Sequence, residues 1–355
     1  MMKSIKKTLV AGLTGFAIIL SISACQKSFD PKTYAPSKPL PTFGGYNSSK
    51  EIETTSLVDY FPFNGTVKDS LGNLSGTTAG NITFGNGVSG KAYQGAASSY
   101  VVFPSAGPGK DLQSYTLSFW MNSPKTNGLA RGIFSFNNPN DFWGSLDVYL
   151  DNPSNTDPKG DTLLFKVHMT NASGVPYAGY FLASKVPNAI NTWVHMVITY
   201  DAATSIINIY QNATAIGISG VAGTSGFVVG PVMPGDDPTK TPKVLYGPLK
   251  FPTTEAVIGT WQFQTNPSLT TSATAQSWAE SYTGLLDNFR LYNKALTAVE
   301  VSALYNLEKL GIKDATDESI GEMLKRVKDL GIEKRGLLTD EEFRDIVDSV
   351  MAAKK

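Results

Sequence analysis

Two histidines and one cysteine limit the covalent chemistry open to this 355-residue chain. His168 stands in KVHMT and His195 in WVHMVITY. Both alternate with strand-type neighbours, which reads as sheet-facing side chains rather than catalytic bases. No nucleophile elbow offers a serine to either. Paired carboxylates are the other route to hydrolysis, and their nearest approach is Asp147 with Asp151 in GSLDVYLDN. Four residues along a strand separate them by about 13 Å. Retaining chemistry needs carboxyls about 5–5.5 Å apart. No catalytic residue is assigned, and the expectation is a non-enzyme.

Asp287, in GLLDNFRLYN, raises a different question. Strand period puts it on one face with Leu285, Phe289 and Leu291. A carboxylate on an apolar face needs a partner, because unpaired burial costs several kcal/mol. That partner is a cation, an arginine or neighbouring backbone amides. Tryptophans supply the last candidates. Trp143 in NNPNDFWGSLD and Trp278 in TAQSWAESY stand among polar turn residues. Such indoles stack on the C–H faces of sugars, or fold down as lids on a core. Trp120 and Trp193 sit in strand-like runs and read as packing, while Trp261 fits either description.

The elements that must carry these residues are short strands. Charged residues make up 17% of the chain and hydrophobic ones 41%, with 33 glycines, a composition suited to an all-β extracellular domain. From about Thr55 to Tyr292, runs such as SLVDYFPF, YTLSFWMN, DTLLFKVHMT and SIINIYQN alternate between Gly, Pro, Asn and Asp. This spacing predicts a sandwich. The run ITYDAATSIINIYQNAT predicts a hairpin turning at Asp201–Thr204, and six prolines between Pro231 and Pro252 predict a long excursion beside the sheet.

Helices follow. Thr297 and Glu300 form a capping box, with Leu296 and Val301 as its staple, and Gly311 is the stop signal. Two further amphipathic helices, about 317–330 and from Thr339 onward, predict a helical hairpin over 312–355.

At the other end, Lys3, Lys6 and Lys7 precede a short apolar run and then Ser23-Ala24-Cys25. This is the pattern of a secretion signal over 1–24. The tetrad Ile22–Cys25 resembles the bacterial lipobox, which implies acylation at Cys25. Acyl chains would hold the mature protein on a membrane at about 0.8 kcal/mol per buried methylene. A lone cysteine leaves no intramolecular disulfide. Residues 25–54, with Pro31, Pro36, Pro39 and Pro41, read as a semi-extended tether. Net charge is zero over the whole chain; without Lys3, Lys6 and Lys7, 27 basic residues face 30 acidic ones. No field draws such a protein to nucleic acid.

Five segments carry a family resemblance: LVDYFPFNGTVKDSLGN, GKAYQGAASSYVVFP, SYTLSFWMNSP, NTWVHMVITYD and GLLDNFRLYNKALTAVEVSALY. In this order they are similar to laminin G-like, concanavalin A-like jelly rolls, here in a lipoprotein of the Gram-negative type. The resemblance covers about 55–311 and implies a two-sheet antiparallel sandwich used for binding more often than for catalysis. It also implies a structural calcium near where first and last strands meet, with Asp69, Asn64 and Asn73 joining Asp287. A turn rich in Asp, Asn and Gly suits calcium's hard oxygens, although Asp69 could equally shape its turn by an Asx bond. Hydrolases that share this fold set two glutamates around an aspartate on one strand, a motif absent here.

The expectation is a lipid-anchored cell-envelope protein displaying a jelly roll that binds a glycan or other extracellular polymer. Its rivals are an adhesion module docking a protein partner through the C-terminal helices, and a polysaccharide-cleaving enzyme with an unrecognised site.

Overall fold

The computed structural model describes residues 42–151 and 160–310. Cys25, the leader and the two helices expected beyond Gly311 lie outside the described residues. Within them the alternating runs form strands β1 (Leu57–Phe61), β2 (Thr77–Ala79), β3 (Thr83–Asn86), β4 (Lys91–Gln94), β5 (Tyr100–Phe103), β6 (Tyr115–Asn122), β7 (Ala130–Phe136) and β8 (Leu146–Asp151). Then come β9 (Leu163–Thr170), β10 (Gly179–Val186), β11 (Val194–Asp201), β12 (Ile206–Gln211), β13 (Thr214–Ile216), β14 (Ala256–Ile258), β15 (Ala279–Ser281) and β16 (Leu285–Tyr292). One helix, α1 (Ala298–Leu310), closes the described chain.

Two eight-stranded sheets result. The first runs β13-β12-β11-β6-β16-β4-β3, with β1 also on β16; the second runs β10-β9-β8-β7-β14-β5-β2, with β15 on β7. All ladders are antiparallel except β15–β7, which is parallel over Ala279–Ser281. This is the jelly-roll sandwich expected. The hairpin at Asp201 joins β11 to β12, and the proline-rich stretch forms no strand between β13 and β14.

Alternation fills the space between the sheets. Leu117 and Phe119 from β6 meet Val148 and Leu150 from β8, and Val167 from β9, all within one buried cluster. Phe289 ties the sheets together, its ring centroid 5.4 Å from Phe119 on one side and 5.4 Å from Phe134 on the other. Each such side chain contributes about 1.5–3 kcal/mol by leaving water.

Two readings need correction. Residues 42–54 do not continue the tether: Phe43 bridges Tyr46, and Ser49 and Ile52 are buried against the sandwich. Asp287 does not share the core face of β16. The ladder with β6 shifts register between Asp287 and Arg290, and Asn288 adopts φ +47. That bulge reverses parity, so Leu286 enters the core before it, and Phe289 and Leu291 after it.

The outer faces of the two sheets differ. Helix α1 lies over the first. Its start has the capping box in place, Glu300 N–H donating to Thr297 Oγ1 (3.3 Å) and Thr297 N–H to Glu300 Oε2 (2.7 Å). Beneath it Glu308 accepts from Trp120 Nε1 (2.8 Å) and from Arg290 Nε (2.8 Å). His195 shares a 2.8 Å hydrogen bond with Ser118 in the same layer. Burial, reinforced by the Arg290 charge, pushes the His195 imidazole down to about 3. It is therefore neutral, and it is buried in the layer under α1. Trp120 packs here, stacked on Tyr305 at 5.5 Å, rather than between the sheets.

Candidate functional site

The outer face of the second sheet has no helix over it among the described residues. On β8, Leu146, Val148 and Leu150 point inward, which leaves Asp147, Tyr149 and Asp151 facing out. On β9 the outward residues are Lys166, His168 and Thr170, and on β10 Phe181, which is 46% exposed. The β7–β8 loop folds Phe142 and Trp143 onto this surface. The segment before β15 adds Trp278.

These rings form one aromatic layer. Trp261, 1% exposed, is its floor together with Tyr149 and Phe263. Trp143 sits 5.8 Å from Trp261, 6.2 Å from Tyr149 and 5.4 Å from His168. Trp278, 38% exposed, lies 5.9 Å from Trp143 and 5.6 Å from Trp261. The two loop tryptophans singled out in the sequence are therefore neighbours. Trp143 is half-buried and partly a lid on the smaller cluster, while Trp278 keeps more of its ring in solvent. Trp193, just ahead of β11, is half-buried and stands apart from this layer.

Two glutamines in one turn hold both tryptophan loops. In the 3-10 turn Gln262–Gln264, Gln262 Oε1 accepts from Asn138 N–H (2.7 Å). Its Nε2 donates to the carbonyls of Asp141 (2.9 Å) and Phe142 (2.8 Å). Gln264 Oε1 accepts from Gln276 N–H (2.7 Å) and its Nε2 donates to the Ala279 carbonyl (2.6 Å). Gln262 thus clips the Trp143 loop and Gln264 the Trp278 loop. Neither glutamine was singled out in the sequence. The available signal was the run TWQFQTN, polar amides alternating with large rings.

Asp147 clips the Trp143 loop from the other side. Its carboxylate accepts from Gly144 N–H (2.8 Å) and Ser135 Oγ (2.5 Å), and His168 Nδ1 lies 3.2 Å away. His168 Nε2 is 3.3 Å from Thr170 Oγ1. The order hydroxyl, imidazole, carboxylate is thus present, but His168 is 3% exposed beneath Phe181 and Trp143. Asp151 pairs with Lys166 (2.8 Å), and Arg131 with Glu280 (2.6 Å). Two cations beside the aromatic layer, Lys166 and Arg131, are thus paired with carboxylates.

The residues expected around a calcium meet other partners. Asp69 accepts four backbone N–H groups, from Tyr60, Leu71, Asn73 and Leu74 at 2.7–3.3 Å. Asp287 accepts from Val88 (2.8 Å), Ser89 (3.3 Å) and Asn288 (2.8 Å) N–H groups. Asn64 Oδ1 accepts from Lys91 N–H (2.9 Å), and Asn73 Nδ2 donates to the Val58 carbonyl (2.7 Å). A cation needs oxygens turned toward one point, whereas these oxygens are turned toward donors. Among the described residues no group of three or more His, Cys, Asp or Glu could hold a metal ion. The arrangement does not fit the ion, and backbone amides account for both carboxylates.

Residues 94–244 match the family model Laminin_G_3, described as the concanavalin A-like lectin/glucanases superfamily. The two antiparallel sheets are consistent with the jelly-roll sandwich of that superfamily, to which residues 94–244 are similar. No curated protein matches the chain. Similar solved structures include domain 4 of AbnA, a GH43 extracellular arabinanase from Geobacillus stearothermophilus, in complex with arabinotriose. The two are 18% identical over 70% of this chain and 98% of that one, with a TM-score of 0.44. The binding domain of Paraclostridial Mosquitocidal Protein 1 is 14% identical over 71% of this chain and 52% of that one, TM-score 0.48. The botulinum neurotoxin serotype D binding domain is 10% identical over 71% and 51%, TM-score 0.45. The chain spans about half the length of these two toxin domains.

Proposed function

We propose that this protein is held at the cell envelope through acylated Cys25 and binds a neutral glycan on the outer face of its second sheet. One observation carries the reading: Trp143 and Trp278, drawn from separate loops, share a half-exposed aromatic layer on a sheet face that no helix covers among the described residues. Indoles present a large apolar face at low entropic cost, and sugar C–H faces are its natural complement. Asn140, exposed in the Trp143 loop, offers a polar side chain to sugar hydroxyls. The paired charges give no reason for an ionic polymer to be preferred.

Affinity electrophoresis against neutral and acidic plant and host polysaccharides tests this. Retardation on neutral polymers without release of reducing ends is the expected result. Chain cleavage would instead favour the hydrolytic reading, for which the Thr170–His168–Asp147 series is the specific support. If no polysaccharide retards the protein, an adhesion module docking a protein partner moves ahead.

A further inference from the structure

The aromatic layer does not end at Trp143. Phe181 stands 5.1 Å from it, edge to face. Phe181 also lines an open groove of about 730 Å³ between residues 176–181 and the segment 219–226. The groove is a built feature of the sheet edge. Ala183 and Ser219 exchange backbone hydrogen bonds at 3.0 and 2.9 Å, which fasten the segment to β10. Gly220 makes this close approach workable: its φ is +91, and a Cβ there would collide with the Phe181 carbonyl. Tyr177, 38% exposed, adds a further ring along the groove. Among the described residues no charged side chain lines it.

We infer that layer and groove form one binding track, and that its ligand is an internal run of three or more units of an extended neutral polysaccharide. This inference rests on the glycan reading proposed above. The steps from Trp278 to Trp143 (5.9 Å) and from Trp143 to Phe181 (5.1 Å) are each close to the rise of one sugar unit in an extended chain. The rings are rotated by 42° and 77° across these steps, so the surface is stepped and follows a twisted chain better than a flat one. The groove then receives the next unit. A site for a terminal sugar would be enclosed around its ligand; this groove is open to solvent. Hydroxyl recognition inside the groove falls to backbone groups, which the bare glycines 179, 220, 223 and 226 leave uncovered.

Length dependence decides the matter. The probes are cello-, laminari-, xylo- and galacto-oligosaccharides of two and six units, titrated calorimetrically into the wild-type protein and two variants. For whichever series binds, the six-unit form should bind at least tenfold more tightly than the two-unit form. Ala178→Trp, at an exposed groove position, should block the groove. It should bring the six-unit affinity down to that of the two-unit form and leave the latter unchanged. Phe181→Ala should lower six-unit affinity several-fold more than two-unit affinity, and gives an independent readout if the tryptophan disturbs folding. Equal affinity for both lengths, or a length advantage that survives both variants, overturns the track while leaving glycan binding intact. Binding of neither length in any series removes the glycan reading and the track together.

Discussion

Trp143 and Trp278 face each other at 5.9 Å because one short turn holds both of their loops. Gln262 is fully buried and spends three hydrogen bonds on the 138–142 loop. Gln264, two residues on, does the same for the chain around Gln276–Ala279. A binding surface made from loops gains precision when its supports are buried and fully hydrogen-bonded. The rigid element here is the turn, and the rings ride on it.

Truncating the two rings separates their roles. Losing an aromatic anchor costs about 2 kcal/mol or more at binding hot spots, so Trp278→Ala should weaken polysaccharide binding roughly thirtyfold while the melting temperature holds. Trp143→Ala should lower both, since its ring also packs on Tyr149 and Trp261. Variants that melt low yet bind normally once folded would make both indoles lids, and the glycan reading would fail.

Glu308 secures α1 against the first sheet through Arg290, and both side chains are almost wholly buried. Removing one partner of such a pair typically costs about 3–5 kcal/mol, because the other charge stays buried alone. Glu308→Ala should therefore unfold at markedly lower denaturant. Arg290→Met added to it should recover part of the loss. A double mutant no better than the single would mean that the charge of Arg290 is not what the single mutant suffers from.

Asp59 gives the stability a pH signature. Burial, with the nearby Asp69 charge as a second cause, raises its carboxyl from 3.8 to about 7. Between those values the folded state binds the proton and the unfolded state does not. Stability from this group therefore falls as pH rises from about 4 to 7 and is level above that, at about 1.4 kcal/mol per unit of pKa separation. His195, pushed down to about 3, works in the opposite sense, adding stability as pH rises from 3 to 6.5. Asp59→Asn should gain on the wild type in Tm steadily from pH 4 to 7 and no further. A constant difference across that range would refute the assignment.

The contacts of Asp287 predict that EDTA leaves the melting temperature unchanged. Asp287→Ala should lower it, since hydrogen bonds to a charged group contribute about 1.5–3 kcal/mol each. A drop on chelation would restore the cation. A ligand of the folded state at a hundredfold excess over its Kd adds about 2.7 kcal/mol, a shift readily seen.

Acylation at Cys25 is tested in cells. Cys25→Ser should accumulate as an unprocessed precursor and take up no fatty-acid probe. Labelling equal to that of the wild type would place the anchor, if there is one, elsewhere.

Much of the architecture was decided by short-range chemistry. Alternation with turn residues specified strands, the Asp201–Thr204 turn specified its hairpin, and Thr297 with Glu300 specified where α1 starts, because each involves groups within a few residues of one another. The loop positions of Trp143 and Trp278 were legible for the same reason. What the two rings would meet was not. Asp287 finds its amides at Val88 and Ser89, 199 and 198 residues away, and Arg290 finds Ser49 across 241. A bulge of one residue in β16 overturned a parity that strict alternation had assigned. Side-chain period is two, so a single slip exchanges the faces of everything after it. Sequence alone determined which residues could stack, cap or carry charge; sheet register and loop closure, set by packing across the whole sandwich, determined which of them came together.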